Sequence, residues 1–426
     1  MIVMRLRWKI AFLTGAAIAI SYLDRQTVPV AIAAIQRDIT ISNTQFSELQ
    51  AAFLATYAIM YAGGGRVLDA LGTRRGFALI MAWWSLACAA HGLATGFGML
   101  VVSRLLLGIG EGGGFPAATK AVAEWFPIRE RSTAMGIINA GTAVGAVAAP
   151  PAIAIIIGAA GWRWVFVVVG TVGLAWTVWW LRAYFPAERH PKLSSDERLE
   201  IQDVFITTES KEGPISWFRL LTYVESWGLV LAKSLSDAGW YFYLFWLPKY
   251  LYDVRRFDTK KVGYYAWIPY AAAGVGCLFG GWLSAWLLSR GKSLNFARKA
   301  AMGASVAVMP LILLVPHSAV RWALVIFSIA FFGQQSWSTL IMILPIDLFP
   351  RRNVGSVAGL VGFGGSLGGV VFNLVVGYLL DHGFGWSTVF GIVSTFHVAA
   401  FLLILAMVRQ VRRVVASEPQ YALPQA

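Results

Sequence analysis

Apolar residues dominate long blocks of this chain, each about the length a helix needs to cross the hydrocarbon core of a bilayer. Windows of about 20 residues give twelve such stretches, beginning near Trp8, Phe46, Gly76, Gly98, Thr133, Gly161, Trp227, Val262, Ala297, Ala319, Val354 and Gly385. The pattern predicts an all-α membrane protein of twelve transmembrane helices. The first stretch outruns a signal-length apolar core and contains Asp24 and Arg25, so it is expected to remain as a span and not be cleaved.

The connections between the stretches orient the chain. Alternate ones carry Arg5, Arg7 and Lys9, then Arg74 and Arg75, Arg129 and Arg131, Arg290, Lys292, Arg298 and Lys299, Arg351 and Arg352, and finally Arg409, Arg412 and Arg413. The other set is poorer, with Arg37, Arg163, Arg321 and one cluster at Arg255, Arg256, Lys260 and Lys261 that Asp253 and Asp258 partly offset. Positive residues accumulate on the cytoplasmic side, so both termini are expected there, in agreement with an even number of spans. One long polar connection, residues 186–225, separates six spans from six and holds about a third of the acidic residues. Within it Ser194 and Glu197 read as a capping box opening a short helix. The expected organisation is a six-helix bundle over 1–185, a cytoplasmic linker over 186–225, a second six-helix bundle over 226–413 and a cytoplasmic tail over 414–426.

An internal repeat supports that division. Trp125-Phe126-Pro127-Ile128-Arg129 is echoed by Leu348-Phe349-Pro350-Arg351-Arg352, and at the same offset Gly136, Gly141 and Gly145 meet Gly359, Gly364 and Gly368. The spans after Pro127 and Pro350 are thus equivalent fifth members of two parallel halves, the arrangement of a transporter built around a central site.

Composition narrows the function classes. The chain of 426 residues is 58% apolar and only 13% charged, where soluble domains carry about a quarter charged residues. A net charge of +14 could suggest nucleic acid, but the basic residues fall in short clusters between apolar runs, as membrane topology requires, so no nucleic-acid partner is expected. Cys88 and Cys277 lie inside apolar runs without metal-ligand spacing. No hydrolytic triad, metal cluster or nucleotide motif accompanies them, so neither an enzyme nor a cofactor or metal is expected.

Four ionisable residues lie where a bilayer makes charge expensive. Asp24 and Arg25 fall inside span 1, in Ser21-Tyr22-Leu23-Asp24-Arg25. At that depth a charge is retained only beside a partner or a polar cavity. Adjacent residues point about 100° apart on a helix, so the two need not neutralise each other. In span 4, Arg104 and Glu111 are two helical turns apart on one face, Glu111 near the bilayer centre and Arg104 toward the outer third. An acid there resists ionisation, which is the property a proton carrier needs; a packing role, accepting from Arg25 or a tyrosine, is the alternative. The glycines that follow, Gly112, Gly113 and Gly114, lack the Gly-Lys-Ser/Thr ending of a phosphate loop and instead let helices approach. Lys120, close to the cytoplasmic end, is expected to snorkel.

The loop between spans 2 and 3 reads Gly65-Arg66-Val67-Leu68-Asp69-Ala70-Leu71-Gly72-Thr73-Arg74-Arg75. It resembles the G-x-L-x-D-x-x-G-R-[RK] signature of the major facilitator superfamily, in which the acid and the basic cluster latch neighbouring helix ends. The resemblance implies a gating role for Gly65, Asp69, Gly72, Arg74 and Arg75, with helix N-termini or an arginine such as Arg129 or Arg131 as partners for Asp69. The matching place in the second half, Gly281-Trp282-Leu283-Ser284-Ala285, has alanine instead of the acid, so the latch is asymmetric. More narrowly, Tyr22-Leu23-Asp24-Arg25, Gly110-Glu111 with Phe115-Pro116, Ala123-Glu124-Trp125-Phe126-Pro127, and Asn139-Ala140-Gly141-Thr142 through Ala149-Pro150-Pro151 resemble the anion:cation symporter family, particularly its hexuronate transporters. That resemblance implies that Arg25 engages a substrate carboxylate, that Asp24 and Glu111 carry protons, and that Arg104 supports Glu111. Thr142 stands where members taking linear sugar acids often have an amide.

The second half offers further candidates. Asp237 lies in span 7, with Lys233 four residues earlier, so it is expected either as a supporting charge of the cavity or as the partner of an intrahelical pair. Gln334, Gln335, Ser336 and Trp337 interrupt span 10 and Asn373 interrupts span 11; such groups can bind sugar hydroxyls or join helices. Tyr22, Tyr57, Tyr61, Asn139 and Thr142 complete the candidate substrate set, and Tyr241 and Tyr243 are open to either reading. His91, His317 and His382 fall near external ends and His190 in the linker, so no histidine relay is expected. These features, with the resemblance to the anion:cation symporter family, imply a proton-coupled importer of a sugar acid, a hexuronate first and a hexonate, glucarate or sugar phosphate otherwise. Its expected setting is a bacterial-type plasma membrane, as a monomer, with a small organic anion, protons and lipid as its only partners.

Overall fold

A computed structural model describes residues 5–201, 220–349 and 351–412, apart from the side chains of residues 62, 65, 66, 69, 128, 129, 131–133 and 351–356. The described residues are helical, with no strand. In chain order the first half comprises α1 (Leu6–Ile35), α2 (Asn43–Ala90), α3 (Phe97–Glu111), α4 (Gly114–Trp125), α5 (Ile128–Ala160) and α6 (Trp162–Ala183). A short α7 (Ser195–Glu200) lies in the linker. The second half comprises α8 (Val224–Asp253), α9 (Thr259–Tyr265), α10 (Trp267–Ser289), α11 (Leu294–Ala307), α12 (Val320–Leu348), α13 (Arg351–Asp381) and α14 (Gly385–Met407).

Ten stretches among the described residues are long and apolar enough to cross a membrane. The first arm of α2 and the 30-residue α8 are further long helices, at the places where spans 2 and 7 are expected. Lys233, Asp237, Lys249 and Asp253 dilute the apolar run of α8. Large apolar side chains such as Trp83, Trp164, Trp179, Leu278 and Trp282 stand exposed around the bundle, as lipid contact requires.

Three expected features take a more specific form. Spans 2 and 3 are one helix by hydrogen bonding, turned at Gly72, whose φ of 72° is open to glycine and strained for other residues. Span 4 is broken into α3 and α4. Pro116 has no N–H to offer the carbonyl four residues earlier, and the helix parts there, at Gly112 and Gly113. Glu111 therefore ends a half-helix. In the linker, Ser194 accepts from the Glu197 amide at 3.2 Å, but Glu197 does not complete the box. Its carboxylate accepts instead from the amides of Leu6 and Arg7, both at 3.0 Å, and so caps α1. Arg7, buried, also bonds Glu130 and Glu200, which fastens α7 to the bases of α1 and α5.

Glycines set the closest helix approaches. Gly141 and Gly145 of α5 bring its backbone against Gly15 and Ala19 of α1. Their repeat counterparts Gly364 and Gly368 of α13 do the same against Val230 and Ser234 of α8. Spans 5 and 1 of the first half thus pack as spans 11 and 7 of the second, which gives the sequence repeat a structural counterpart. The halves meet along an antiparallel seam between α2 and α13. Reading away from the start of α2, Asn43 faces Asp381, Ser47 faces Gly377, Leu54 faces Gly369 and Tyr61 faces Gly362.

Candidate functional site

Asp24 and Arg25 diverge around α1 as two residues 100° apart must. Arg25, 2% exposed, donates from Nε to Oε2 of Glu111 at 2.7 Å, and Ser21, one turn earlier, donates to the same oxygen at 2.7 Å. The guanidinium lies over the rings of Tyr57 at 4.5 Å, Tyr22 at 4.7 Å and Phe53 at 5.6 Å. Aromatic faces are attractive to a cation and leave its remaining donors uncommitted. Asp24 points elsewhere. Its Oδ1 receives only a long contact from the Cys88 thiol at 3.6 Å, and its Oδ2 has no partner among the described residues.

Arg104 is fully buried, and none of its three side-chain nitrogens has a hydrogen-bond partner among the described residues. It lies 5.7 Å from the Phe53 ring, and Oε1 of Glu111 is likewise unpartnered. Two acids and two arginines are therefore enclosed together, formally balanced in charge but under-satisfied in hydrogen bonds. Such a network is poised to exchange partners, because each new contact relieves a buried unsatisfied group. What holds it is the backbone. Gly108 lets α3 approach Phe53 and Thr56, Gly110 lets it approach Trp84, and Gly112 lets it approach Tyr57, where any Cβ would collide.

Across the seam, Tyr57 and Tyr61 lie with ring centroids 5.8 Å apart, and Tyr61 touches Gly362 of the second half. Tyr241 packs on Gly369. Asp237 pairs with Lys233 at 2.8 Å, and Lys233 also reaches Ser338 of α12 at 3.4 Å. The intrahelical pair left open by the sequence thus forms, with its cation shared toward span 10.

The other candidates of the second half are taken up by helix-to-helix contacts. Asn373 accepts from Trp246 Nε1 at 2.8 Å and donates to the Gly369 carbonyl at 2.7 Å, which commits both ends of its amide. Ser336 bonds Ser305 at 2.7 Å, away toward α11. Gln334 bonds His397, and Trp337 is fully buried with His397 and Phe401 against its ring. In the first half Thr142 bonds back to the Asn139 carbonyl at 2.7 Å, and Asn139 is exposed. His397, buried in the middle of α14, escaped the sequence reading, which placed histidines only at helix ends and in the linker. Its only signal was a lone imidazole within a long apolar run. Ser338 was missed because span 10 carries polar groups on several faces.

At the motif loop, Gly72 makes the turn and Thr73 donates to Glu124 at 2.5 Å. Arg74 reaches the Leu181 carbonyl at the base of α6 and lies 4.0 Å from the Phe185 ring, while Arg75 is exposed. Lys120 does not snorkel freely but donates to the Leu68 carbonyl at 2.9 Å. The side chains of Gly65, Asp69 and Arg129 lie outside the described residues, and with them the expected latch.

The pattern of the Major Facilitator Superfamily matches residues 14–372. The chain is 32% identical over 410 residues to the hexuronate transporter of Escherichia coli K12, covering 94% of this chain and 93% of that one. It is 34% identical over 281 residues to the galacturonate transporter of Dickeya chrysanthemi, covering 65% and 81% respectively. In fold it is similar to a bacterial homolog of the human lysosomal transporter Spinster, solved in an inward-facing and occupied conformation, with a TM-score of 0.75 at 18% identity over 94% of this chain and 97% of that one. With the helical architecture and the motif loop, these matches establish that the chain belongs to the major facilitator superfamily and is a multi-pass membrane transporter, not an enzyme.

Proposed function

We propose that the protein imports a sugar acid, a hexuronate above others, together with protons. The observation that carries this reading is the buried Arg25–Glu111 pair beside Tyr22 and Tyr57. Glu111 neutralises Arg25. A proton on Glu111 removes its claim on the guanidinium, which then presents a forked donor to the carboxylate of the substrate. Tyr22, Tyr57 and Tyr61 offer ring faces and hydroxyls to the sugar. Asp24, held by little more than Cys88, is a second proton acceptor beside the first, and Arg104 is the cation to which an ionised Glu111 or Asp24 can turn.

In this reading residues 1–185 and 226–413 rock against each other about the central site, joined by the linker 186–225. Both termini face the cytoplasm, following the distribution of Arg and Lys. Protons and substrate enter together from the outside and leave on the cytoplasmic side, where both are scarcer. By reciprocity, substrate must raise the proton affinity of the acid pair as much as protons raise the affinity for substrate.

A second reading, uptake of a dicarboxylated sugar acid, is favoured by Lys233. This lysine, a cation contributed by the second half, is shared between Asp237 and Ser338 and could meet a second carboxylate. Counterflow in proteoliposomes against glucuronate, galacturonate, galactonate, glucarate and a hexose phosphate decides between them. Exchange of the hexuronates and failure of the others supports the first reading. Preference for glucarate supports the second, and no exchange of any sugar acid defeats both.

A further inference from the structure

The first turn of a helix has amide groups with no partner within the helix, and something else must accept from them. At the start of α2, Ser42 accepts from the Gln45 amide at 3.1 Å, and its own amide donates to the Gln45 side chain at 3.0 Å. The two amides this box leaves over are served from the other half of the protein. Asp381, the last residue of α13, accepts at Oδ1 from the Asn43 amide at 3.1 Å and from Asn43 Nδ2 at 2.8 Å, and at Oδ2 from the Thr44 amide at 2.7 Å. A carboxylate at a helix N-terminus also meets the positive end of the helix dipole.

This contact is the end of the α2–α13 seam. One turn inward, Gly377 leaves no room for a side chain between itself and Ser47, and two turns further in, Gly369 packs on Leu54. Around the same end Phe46 of α2 meets the ring of Trp246 at 4.9 Å, and the Tyr252 hydroxyl of α8 donates to the Val30 carbonyl of α1 at 2.6 Å. All of these join the first half to the second, at the end of the bundle opposite the chain's N-terminus.

We propose that Asp381 is the latch of the external gate: it holds the external end shut by capping a helix of the opposite half, and it must let go before the site can open outward. The inference rests on the alternating-access reading above. The latch suits a gate because it lies at the rim of the seam, with Asp381 exposed and Asn43 and Thr44 half-buried. On opening, water replaces Asp381 at the Asn43 and Thr44 amides, so the contact biases the equilibrium without freezing it. Caps and dipole contacts of this kind shift an equilibrium by about tenfold.

The test uses full-length protein in proteoliposomes with Leu54→Cys as a reporter, since Leu54 is buried under the seam and becomes accessible only when the halves part. The rate of labelling by a membrane-impermeant maleimide, added from the outer side, is expected to rise about tenfold in Asp381→Ala and less in Asp381→Asn, which keeps an acceptor but loses the charge. Asn43→Asp, which sets two carboxylates together, should raise it as well. Asn43→Ala, which keeps the backbone donors, should change it little. Melting temperature and gel-filtration profile separate gate opening from unfolding, and Asn43→Asp serves if Asp381→Ala does not fold. Equal labelling rates in the parent, Asp381→Ala and Asn43→Asp overturn the latch. If those rates are finite and respond to added substrate, alternating access survives its loss; if Leu54→Cys is unreactive in every variant and under every gradient, that reading falls too.

Discussion

Asp24 and Arg25, adjacent in sequence, take different partners: Arg25 pairs with Glu111 at 2.7 Å, and Asp24 receives only the Cys88 thiol. One helical step therefore separates the residue proposed to grip the substrate from a residue proposed to carry a proton, and the two roles can be tested apart.

Arg25→Lys is expected to lower affinity for a carboxylated ligand about a hundredfold, near 2.7 kcal/mol, because an ammonium cannot reproduce the forked donor and leaves Glu111 worse satisfied. Ligand-induced thermal stabilisation and direct binding would measure it. Unchanged affinity would remove Arg25 from the substrate site.

Glu111→Gln imitates the protonated acid. It should exchange labelled substrate across vesicles, yet fail to concentrate it under an imposed proton gradient. Asp24→Asn should share the second defect while keeping the Arg25 contact. Gradient-driven accumulation by Glu111→Gln at the parental level would move the proton to Asp24.

Asn373→Ala should act on the fold and leave the ligand alone. It strands the buried Trp246 Nε1, at a cost of about 1–3 kcal/mol, and lowers the melting temperature while substrate affinity holds. A selective loss of affinity at unchanged stability would return Asn373 to the binding site.

Asp38, in the loop after α1, accepts from Trp162 at 2.9 Å and from Arg163, and these hydrogen bonds, Trp162 first, hold its carboxyl below the usual range. The native carboxylate therefore keeps its charge at a pH where the unfolded chain would bind a proton. Its stabilising effect is fully present above about pH 4 and is lost as pH falls through the lower native value. Melting of Asp38→Asn and the parent should differ near pH 6 and converge at strongly acidic pH; a gap that persists in acid would mean that charge is not the source.

The sequence carried the elements that repeat or that cost energy in lipid. The apolar blocks locate the helices, the Pro127 and Pro350 echo locates the two halves, and the expense of charge at depth singles out Arg25 and Glu111, which the fold brings together. Facing was less accessible. Gln334 and Ser336 are close neighbours of Ser338, yet only Ser338 reaches Lys233. When apolar residues surround a span on every side, periodicity does not report how the helix is turned. The capping of α2 by Asp381 joins residues 338 positions apart through backbone amides, which leave no trace in side-chain pattern. Glu197 misled for a related reason: its position fits a local box, while the fold offers it the more demanding amides at the start of α1.

Gly141 and Gly145 put the backbone of α5 directly on that of α1, with no side chains between them to act as a cushion. A displacement of one helix cannot be absorbed by a change of rotamer in the gap, so the two must travel as a single stiff beam. Arg25 rides on that beam. The same α5 meets the second half where Gly263 packs against Pro150 and Ala154, so one helix touches both the Arg25-bearing α1 and the other half. In the proposed reading, the hold of Arg25 on the substrate and the angle between the halves become one mechanical variable.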